Sequence, residues 1–542
     1  MMIEHPAAPE EHEDPTMEPV AVISWIVLFV VVTVTVTGLT RRFGWSAPLT
    51  LVLVGGLASF LPAVPRAEID PEVVLYGILP PLLFAAAIRT PLGDIRSRGD
   101  SIFFLSVGLV GFTVATVGLT MWALVPALTL AAAFAFGAVV APTDAVAVTA
   151  IAGRLKLPRR LLSVLETESL LNDAAALVAL NASILAISTV VSPWTIGRDF
   201  VLAVVVGVAF GLLVGWIIGL IRQRTEAPVL DTSLSLVTPY LAFIPAQTLG
   251  GSGVIAVVVA GILLGHRSPL IQSAQARIAE SINWRTIRFL LENAVFLIIG
   301  LSLSGIVVGL QESSLGVWAI GGLSLVVLIV LVASRFALVL LLTAVYEYGP
   351  DLVRRRAWGW RTSIAVSSAG IRGVVTLAAV FLLPEETPER ELLQFLAFVV
   401  VAGTLLEGLV LPRIIRALRL PPPNGDQERV ERELLRAEAQ RAGLARLDRE
   451  VTDADEERVV GRLRSNASFL AEAIDDPAAP GAERTTDAFH RLRYAMILAE
   501  REAVLGARAE GRYQDPAVRA VLATIDAEET ALRISAPKKP GD

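Results

Sequence analysis

The stretch Val139-Val140-Ala141-Pro142-Thr143-Asp144-Ala145-Val146 puts a proline and a carboxylate in the middle of a long apolar segment. Proline lacks a backbone donor and clashes with the preceding turn, so a helix should break or kink at Pro142. An acidic side chain at membrane depth costs about 2.5–3.5 kcal/mol on insertion scales, so it is rare and commonly functional. The stretch therefore predicts a broken helix that lines a cavity inside a membrane protein.

A second acidic group lies in the next apolar segment, in the stretch Glu168-Ser169-Leu170-Leu171-Asn172-Asp173. Ser169 and Asp173 are four residues apart, and so are Glu168 and Asn172, so each pair shares a helix face. One face thus offers a hydroxyl and a carboxylate, and a carboxylate can hold either a proton or a small cation. That choice is the basis of an ion-exchange mechanism.

Glu168 needs a positive partner, because an unpaired charge at this depth is too costly. The intramembrane candidates are Arg372 and Arg335. We expect a structural ion pair between Glu168 and Arg372.

The composition divides the chain into two parts. Of its 542 residues 54% are hydrophobic and 18% are charged, against about 25% charged in typical soluble domains. Charged residues make up 43 of the 122 residues from Pro421 onward but only 55 of the first 420. There is no cysteine, which excludes disulfides and thiolate chemistry, and none of the four histidines lies in an apolar span.

Thirteen segments are apolar enough to cross a bilayer, which takes about 20 residues. They are 20–39, 46–62, 73–88, 102–124, 127–151, 161–187, 199–221, 232–250, 253–265, 286–309, 316–346, 360–383 and 392–412. If the N-terminus is outside, most loop arginines fall inside. This predicts an extracellular acidic segment (1–19), a transmembrane domain (20–420) and a cytoplasmic helical tail (421–542).

The twelfth span is interrupted as the fifth is, by Gly370-Ile371-Arg372-Gly373. Interrupted helices at equivalent positions of two inverted halves mark the binding site of many transporters. We therefore predict an all-α polytopic membrane protein, with about 13 transmembrane helices in two inverted repeats with crossed broken helices, and a helical tail. Residues 268–283 read as an interfacial helix between spans nine and ten. Tail helices are expected at 427–449, 455–474, 486–508 and 515–533.

These motifs resemble the sodium/proton exchanger branch of the monovalent cation/proton antiporter family over roughly residues 20–415. The strongest pieces are Pro142 to Val146, Glu168 to Asp173, and Gly370 to Val375. Two positions depart from the family pattern. Many relatives carry an acid where this chain has Ala85, and another where it has Gln247, so cation affinity or preference could differ.

The resemblance implies a homodimer in which a mobile core moves like an elevator against a dimer domain. It implies that Asp173 carries the cation and the proton in turn. A Na⁺ site would be completed by Ser169, Asp144 and the main-chain carbonyl of Thr143. Asn172, where other relatives have a second aspartate, resembles electroneutral members of the family.

We thus expect a transporter of the plasma membrane and not an enzyme, with lipid around it, no cofactor and no nucleic-acid partner. Na⁺ is the expected cation, with Li⁺ accepted, and a K⁺/H⁺ antiporter is the alternative. A cation channel would need a continuous polar lining or a filter, which the sequence lacks. A diacid protease using Asp144 and Asp173 is a third reading.

Overall fold

The computed structural model describes residues 19–43, 45–62, 64, 72–90, 102–144, 159–188, 193–310, 315–350, 359–420, 425–452, 455–465, 485–510 and 515–535. Over these residues all regular structure is helical and there is no β-strand, which confirms the all-α class. The chain forms two compact units, Met1–Pro421 and Pro422–Asp542.

The first unit contains sixteen helices among its described residues. In chain order they are α1 (Pro19–Phe43), α2 (Ala47–Ala58), α3 (Leu79–Ala87), α4 (Leu109–Leu124), α5 (Leu130–Val140), α6 (Arg159–Ser188), α7 (Pro193–Arg222), α8 (Pro228–Thr248), α9 (Gly253–Ile271), α10 (Ala274–Leu301), α11 (Leu303–Gly309), α12 (Val317–Tyr348), α13 (Trp360–Ser368), α14 (Val374–Val380), α15 (Arg390–Gly408) and α16 (Leu411–Leu418). Wider π-helical segments, Val73–Ile78 and Phe104–Gly108, lead into α3 and α4.

Helices overlap all thirteen predicted spans, although residues 145–151 of the fifth span lie outside the described residues. Within the described part of the chain, eight helical segments are long and apolar enough to cross a membrane. They are Phe104–Leu124, Val164–Ile187, Gly197–Arg222, Pro228–Thr248, Gly253–Ile271, Ala274–Gly309, Val317–Tyr348 and Arg390–Gly408. The count of thirteen spans and the inverted repeats remain predictions.

The predicted interfacial helix over 268–283 is wrong. Helix α9 continues to Ile271, and α10 begins at Ala274, so residues 274–283 are the first turns of α10. The Ser273 hydroxyl starts the new helix by accepting a hydrogen bond from the Ala276 amide at 3.2 Å. The polar residues that suggested a membrane surface include Glu280, which is buried against other helices.

A row of glycines lets α7 and α9 pack closely. Gly207, Gly211, Gly215 and Gly219 recur every fourth residue on the buried face of α7. A Cβ atom at Gly211 would lie 2.6 Å from the main-chain oxygen of Ala256. Small residues at this spacing let helix backbones approach each other, which is a main source of helix association in membranes.

We expect Gly211→Ala to destabilise the protein by about 1–3 kcal/mol, because the obstacle is backbone and the helices must separate. Thermal unfolding in detergent measures the effect. Gly321→Ala in α12 is the matched control, since nothing lies within 4 Å of a Cβ there. Equal transition temperatures for the two variants would contradict the packing argument.

Five buried polar side chains join the ends of α7 to α10; we call them the Arg222 cluster (Arg222, Asp231, Ser235, Gln272 and Glu280). The guanidinium donates from Nε and Nη2 to Asp231, at 2.9 and 2.7 Å, and from Nη2 to Glu280 at 2.7 Å. The Gln272 amide donates to both carboxylates, and the Ser235 hydroxyl donates to Glu280. No local sequence pattern had indicated this cluster.

Removing the cluster's positive charge should leave two desolvated carboxylates facing each other. We expect Arg222→Met to cost about 3–5 kcal/mol, the range for a broken buried ion pair. Arg198→Met is the control, because the Arg198–Asp199 pair is largely exposed and such pairs contribute about 0–1 kcal/mol. Thermal unfolding and the yield of monodisperse protein are the readouts, and a stable Arg222→Met protein would refute the assignment.

The second unit contains α17 (Gly425–Glu450), α18 (Thr485–Ala509) and α19 (Asp515–Ser535), and a short helix over 457–465. Helices α18 and α19 pack through the buried side chains of Ile497 and Ile525. Arg493 forms an ion pair with Glu528 across them at 2.6 Å. The helices lie where the sequence predicts them, except that residues 466–474 fall outside the described part.

Candidate functional site

Two helix interruptions meet inside the first unit. Helix α5 ends at Val140, and residues 141–144 are not helical. Helices α13 and α14 are separated by residues 369–373. The Asp144 amide donates to the Ile371 carbonyl at 2.7 Å, so the two interruptions are directly hydrogen-bonded. The interruption between α13 and α14 lies where the glycine signal indicated, and α5 ends two residues before Pro142. The remainder of the fifth span, from residue 145, lies outside the described residues.

Arg372 occupies the place where the broken helices leave carbonyls unpaired. Its Nε atom donates to the carbonyl of Val140, the last residue of α5, at 3.1 Å. Its Nη1 atom donates to the carbonyl of Gly370, just after α13. Helix C-termini expose unsatisfied carbonyls and carry partial negative charge. Fully buried Arg372 thus compensates both helix ends.

Thr143 connects the first interruption to α6. Its main-chain carbonyl accepts a hydrogen bond from the Ser169 hydroxyl at 2.7 Å. Its hydroxyl accepts from the Asn172 amide at 2.8 Å and donates to Glu168 Oε1 at 3.4 Å. Four of the residues proposed from sequence are therefore in one hydrogen-bonded group, which is almost entirely buried.

The expected Glu168–Arg372 pair is wrong, because the partner of Glu168 is Arg335 on α12. Arg335 Nη1 lies 2.6 Å from Oε1, and Nη2 lies 3.2 Å from Oε2. Arg335 also donates to the Val366 carbonyl at 3.0 and 3.2 Å. Glu168 takes the other arginine because the guanidinium of Arg372 is engaged by helix carbonyls. The sequence identified both arginines as candidate partners of Glu168. It could not show which of them forms the pair, because that depends on how distant helices pack.

Asp144 and Asp173 keep partial exposure beside this buried group. Asp173 lies one turn after Ser169 on α6, and the two carboxylates are close enough to repel each other. The side-chain oxygen of nearby Asn172 is buried without a hydrogen-bond partner. Their assignment as the cation site stays a prediction. Among the described residues, no group of three His, Cys, Asp or Glu side chains is arranged to hold a metal ion.

Ser106 is a neighbour that the sequence gave no reason to select. It is fully buried in the π-helical segment before α4, and its hydroxyl donates to the main-chain carbonyl of Glu168 at 3.3 Å. Such wide turns are frequently found at functional sites. A lone serine in an apolar span carries no signal in a single sequence, because the wider turn that directs it inward is visible only in the structure.

Ala85 and Gln247 are the two positions that depart from the family pattern, and both are described by the structure. Ala85 is fully buried in α3 and offers no polar group. The Gln247 side-chain oxygen accepts from the Gly253 amide, the first residue of α9, at 3.2 Å. Gln247 thus holds the start of a helix, which a carboxylate at the same place could also do.

Outside the central group, Glu292 pairs with Arg288 at 2.6 Å, one turn away on α10. Residues four apart share a helix face, so this pair is a local one within α10.

A polytopic helical protein with charged groups paired around two helix breaks has the general form of an ion transporter. Residues 26–417 match the model of the family "Sodium/hydrogen exchanger, transmembrane". The chain belongs to the sodium/hydrogen exchanger family.

Several individual proteins of this kind are similar to the chain. A protein of Mycobacterium tuberculosis named an uncharacterized Na(+)/H(+) exchanger is 33% identical over 527 residues, covering 94% of this chain and 95% of its own. The "Sodium, potassium, lithium and rubidium/H(+) antiporter" of Bacillus subtilis is 31% identical over 411 residues, 72% of this chain and 60% of that protein. The structure of the sodium proton antiporter MjNhaP1 from Methanocaldococcus jannaschii has a similar fold, with a TM-score of 0.59 at 18% identity, over 73% of this chain and 97% of that one.

The ion pair can be tested by compensation. Arg335→Met leaves Glu168 charged and buried, so we expect folded protein to be largely lost. Adding Glu168→Leu removes the stranded charge and should recover part of the yield, measured by size-exclusion chromatography. The same Glu168→Leu change should not rescue Arg372→Met, because Arg372 binds carbonyls. If Glu168→Leu rescued Arg372→Met but not Arg335→Met, the Glu168–Arg372 pair expected from the sequence would be correct.

Proposed function

We propose that this protein is a secondary active transporter that exchanges a monovalent cation, Na⁺ foremost with Li⁺ accepted, for H⁺. The observation that carries the proposal is the group formed by Thr143, Ser169 and Asn172 around the first helix break. It puts a hydroxyl, a carbonyl and an amide oxygen beside two carboxylates. Oxygen donors of this kind are the ligands that hard cations prefer.

The Ser169 hydroxyl and the Asn172 amide both donate hydrogen bonds to Thr143. A hydroxyl also carries two acceptor lone pairs, so Ser169 is of the right type to serve as a cation ligand. Asn172 gives an amide proton to the Thr143 hydroxyl and keeps its side-chain oxygen unpaired. Asp173 then binds either a dehydrated Na⁺ or a proton, and competition for one carboxylate makes the exchange obligatory.

Charge balance supports an electroneutral cycle. Arg335 neutralises Glu168, and Asp144 and Asp173 are the other two acids of the proposed site. One Na⁺ in one direction or one H⁺ in the other gives the loaded site the same net charge. The unloaded site keeps a further negative charge at membrane depth, which opposes its movement.

The remaining features of the proposal follow the family resemblance. The protein forms a homodimer in the plasma membrane and moves its core like an elevator, with the C-terminal unit in the cytoplasm. K⁺/H⁺ exchange is the alternative, which the name of the Bacillus subtilis relative supports because that protein is named for four alkali cations. The antiport reading needs no enzyme chemistry and no cofactor.

Proteoliposomes test the proposal directly. Vesicles loaded with a pH-sensitive dye receive a proton gradient, and Na⁺, Li⁺ or K⁺ is then added with the membrane potential clamped or free. Electroneutral exchange predicts dequenching that the clamp does not change, and the effective cations define the substrate. Clamp-dependent signals would show electrogenic exchange, and single-channel currents would show a channel. No response to any cation would contradict antiport.

Substitutions in the site test which residues are needed for exchange. Asp173→Ala should abolish exchange, because it removes the shared carrier, and Asp144→Ala should reduce it severely. Asp199→Ala, at an exposed ion pair distant in sequence from both breaks, is the control that should retain exchange. Initial dequenching rates at equal reconstituted protein are the measurement. Full activity of Asp173→Ala would overturn the assignment of the carrier.

A further inference from the structure

We infer that Gly373 is a positioning residue, which sets where the Asp144 carboxylate lies and thereby tunes cation selectivity. This rests on the proposed function, since selectivity has meaning only for a cation transporter. The residue belongs to the second helix break, whereas the carboxylate belongs to the first.

Gly373 lies very close to the Asp144 side chain and has no side chain of its own between them. Gly373 is buried, and a Cβ atom built on it would lie 2.6 Å from Asp144 Cγ and 2.7 Å from Asp144 Cβ. The Oδ2 atom would be closer still, so all three nearest atoms belong to Asp144. Real Cβ atoms essentially never come within 3.0 Å of another heavy atom. Any side chain at 373 therefore requires the carboxylate or the backbone to move.

The obstacle at Gly373 is a side chain and not the main chain, since all three nearest atoms come from Asp144. The φ angle of Gly373 is −146°, so it lies outside the left-handed region that favours glycine. The constraint is thus specific to the pair Gly373–Asp144.

The backbone on both sides of the contact is held, so the carboxylate is the part that yields. The Asp144 amide donates to Ile371 at 2.7 Å, and the preceding carbonyl of Thr143 accepts from Ser169. On the other side, the Arg372 amide donates to the Thr404 hydroxyl at 3.0 Å. Adding a methyl group at 373 should rotate or displace the Asp144 side chain before either chain segment separates.

A displaced carboxylate changes the size of the proposed site. Selectivity among ions of equal charge depends on cavity size, ligand number and rigidity. Binding sites need their ligands within about 0.5 Å of the productive position. Because Gly373 has no side chain, the second helix break leaves room for the Asp144 carboxylate to lie against the start of α14. The carboxylate then does not crowd the cation.

The test compares apparent KM values for Li⁺, Na⁺ and K⁺ in proteoliposomes. We expect Gly373→Ala to change the ratios of these KM values by roughly tenfold, within the range that a 1 Å misplacement can cost. Gly211→Ala is the matched control. A Cβ atom there would meet the main-chain oxygen of Ala256 at 2.6 Å, and not Asp144. It should lower the yield of folded protein and leave the ratios unchanged.

A second pair of variants covers the case in which Gly373→Ala folds poorly. Asp144→Gly removes the three atoms that lie nearest to the new methyl group. Gly373→Ala should therefore lower the transition temperature in the wild-type background and much less in the Asp144→Gly background. Equal losses in both backgrounds would overturn the inference, because the obstacle would then not be Asp144.

The outcomes separate the two proposals. A wild-type protein that exchanges no cation contradicts the proposed function, while the transition temperatures still decide whether Gly373 positions Asp144. A wild-type protein that exchanges, with unchanged KM ratios in folded Gly373→Ala, overturns the inference and leaves the exchanger intact.

Discussion

The arrangement of the whole site depends on one requirement, that backbone groups inside the membrane must find partners within the protein. Breaking α5 and separating α13 from α14 frees several such groups at once. The Asp144 amide and the Ile371 carbonyl satisfy each other. Arg372 satisfies carbonyls at the ends of α5 and α13. Each interruption is therefore stable because the other is present.

These hydrogen bonds between the two interruptions explain which partner each polar group of the site has. Arg372 is committed to backbone carbonyls, so a second arginine, Arg335, neutralises Glu168. Glu168 in turn accepts from Thr143, whose hydroxyl is held by Asn172. The buried charges are thus satisfied within the group, and the side-chain oxygen of Asn172 is left without a hydrogen-bond partner. Asp144 and Asp173, which lie beside this group, are the acids that keep partial exposure.

The sequence predicted the local features of this site well and its long-range pairings poorly. Pro142 and the glycines around Arg372 have fixed effects on a helix, so both breaks were predictable. The spacing of Ser169 and Asp173 likewise follows from helix geometry. The choice of Arg335, the buried position of Glu280 and the contact of Ser106 depend on how distant helices pack. A single sequence does not contain that information in any local pattern.

The positions of the buried ion pairs along the chain also bear on the order of assembly. Arg222 and Asp231 are nine residues apart, so this pair can form as soon as the turn between α7 and α8 has left the ribosome. Glu168 and Arg335 are 167 residues apart. The carboxylate of Glu168 cannot meet its arginine until most of the transmembrane unit has been synthesised. The N-terminal half therefore enters the bilayer with an acid whose final partner has not yet been made, and completion of the site is a late event in biogenesis.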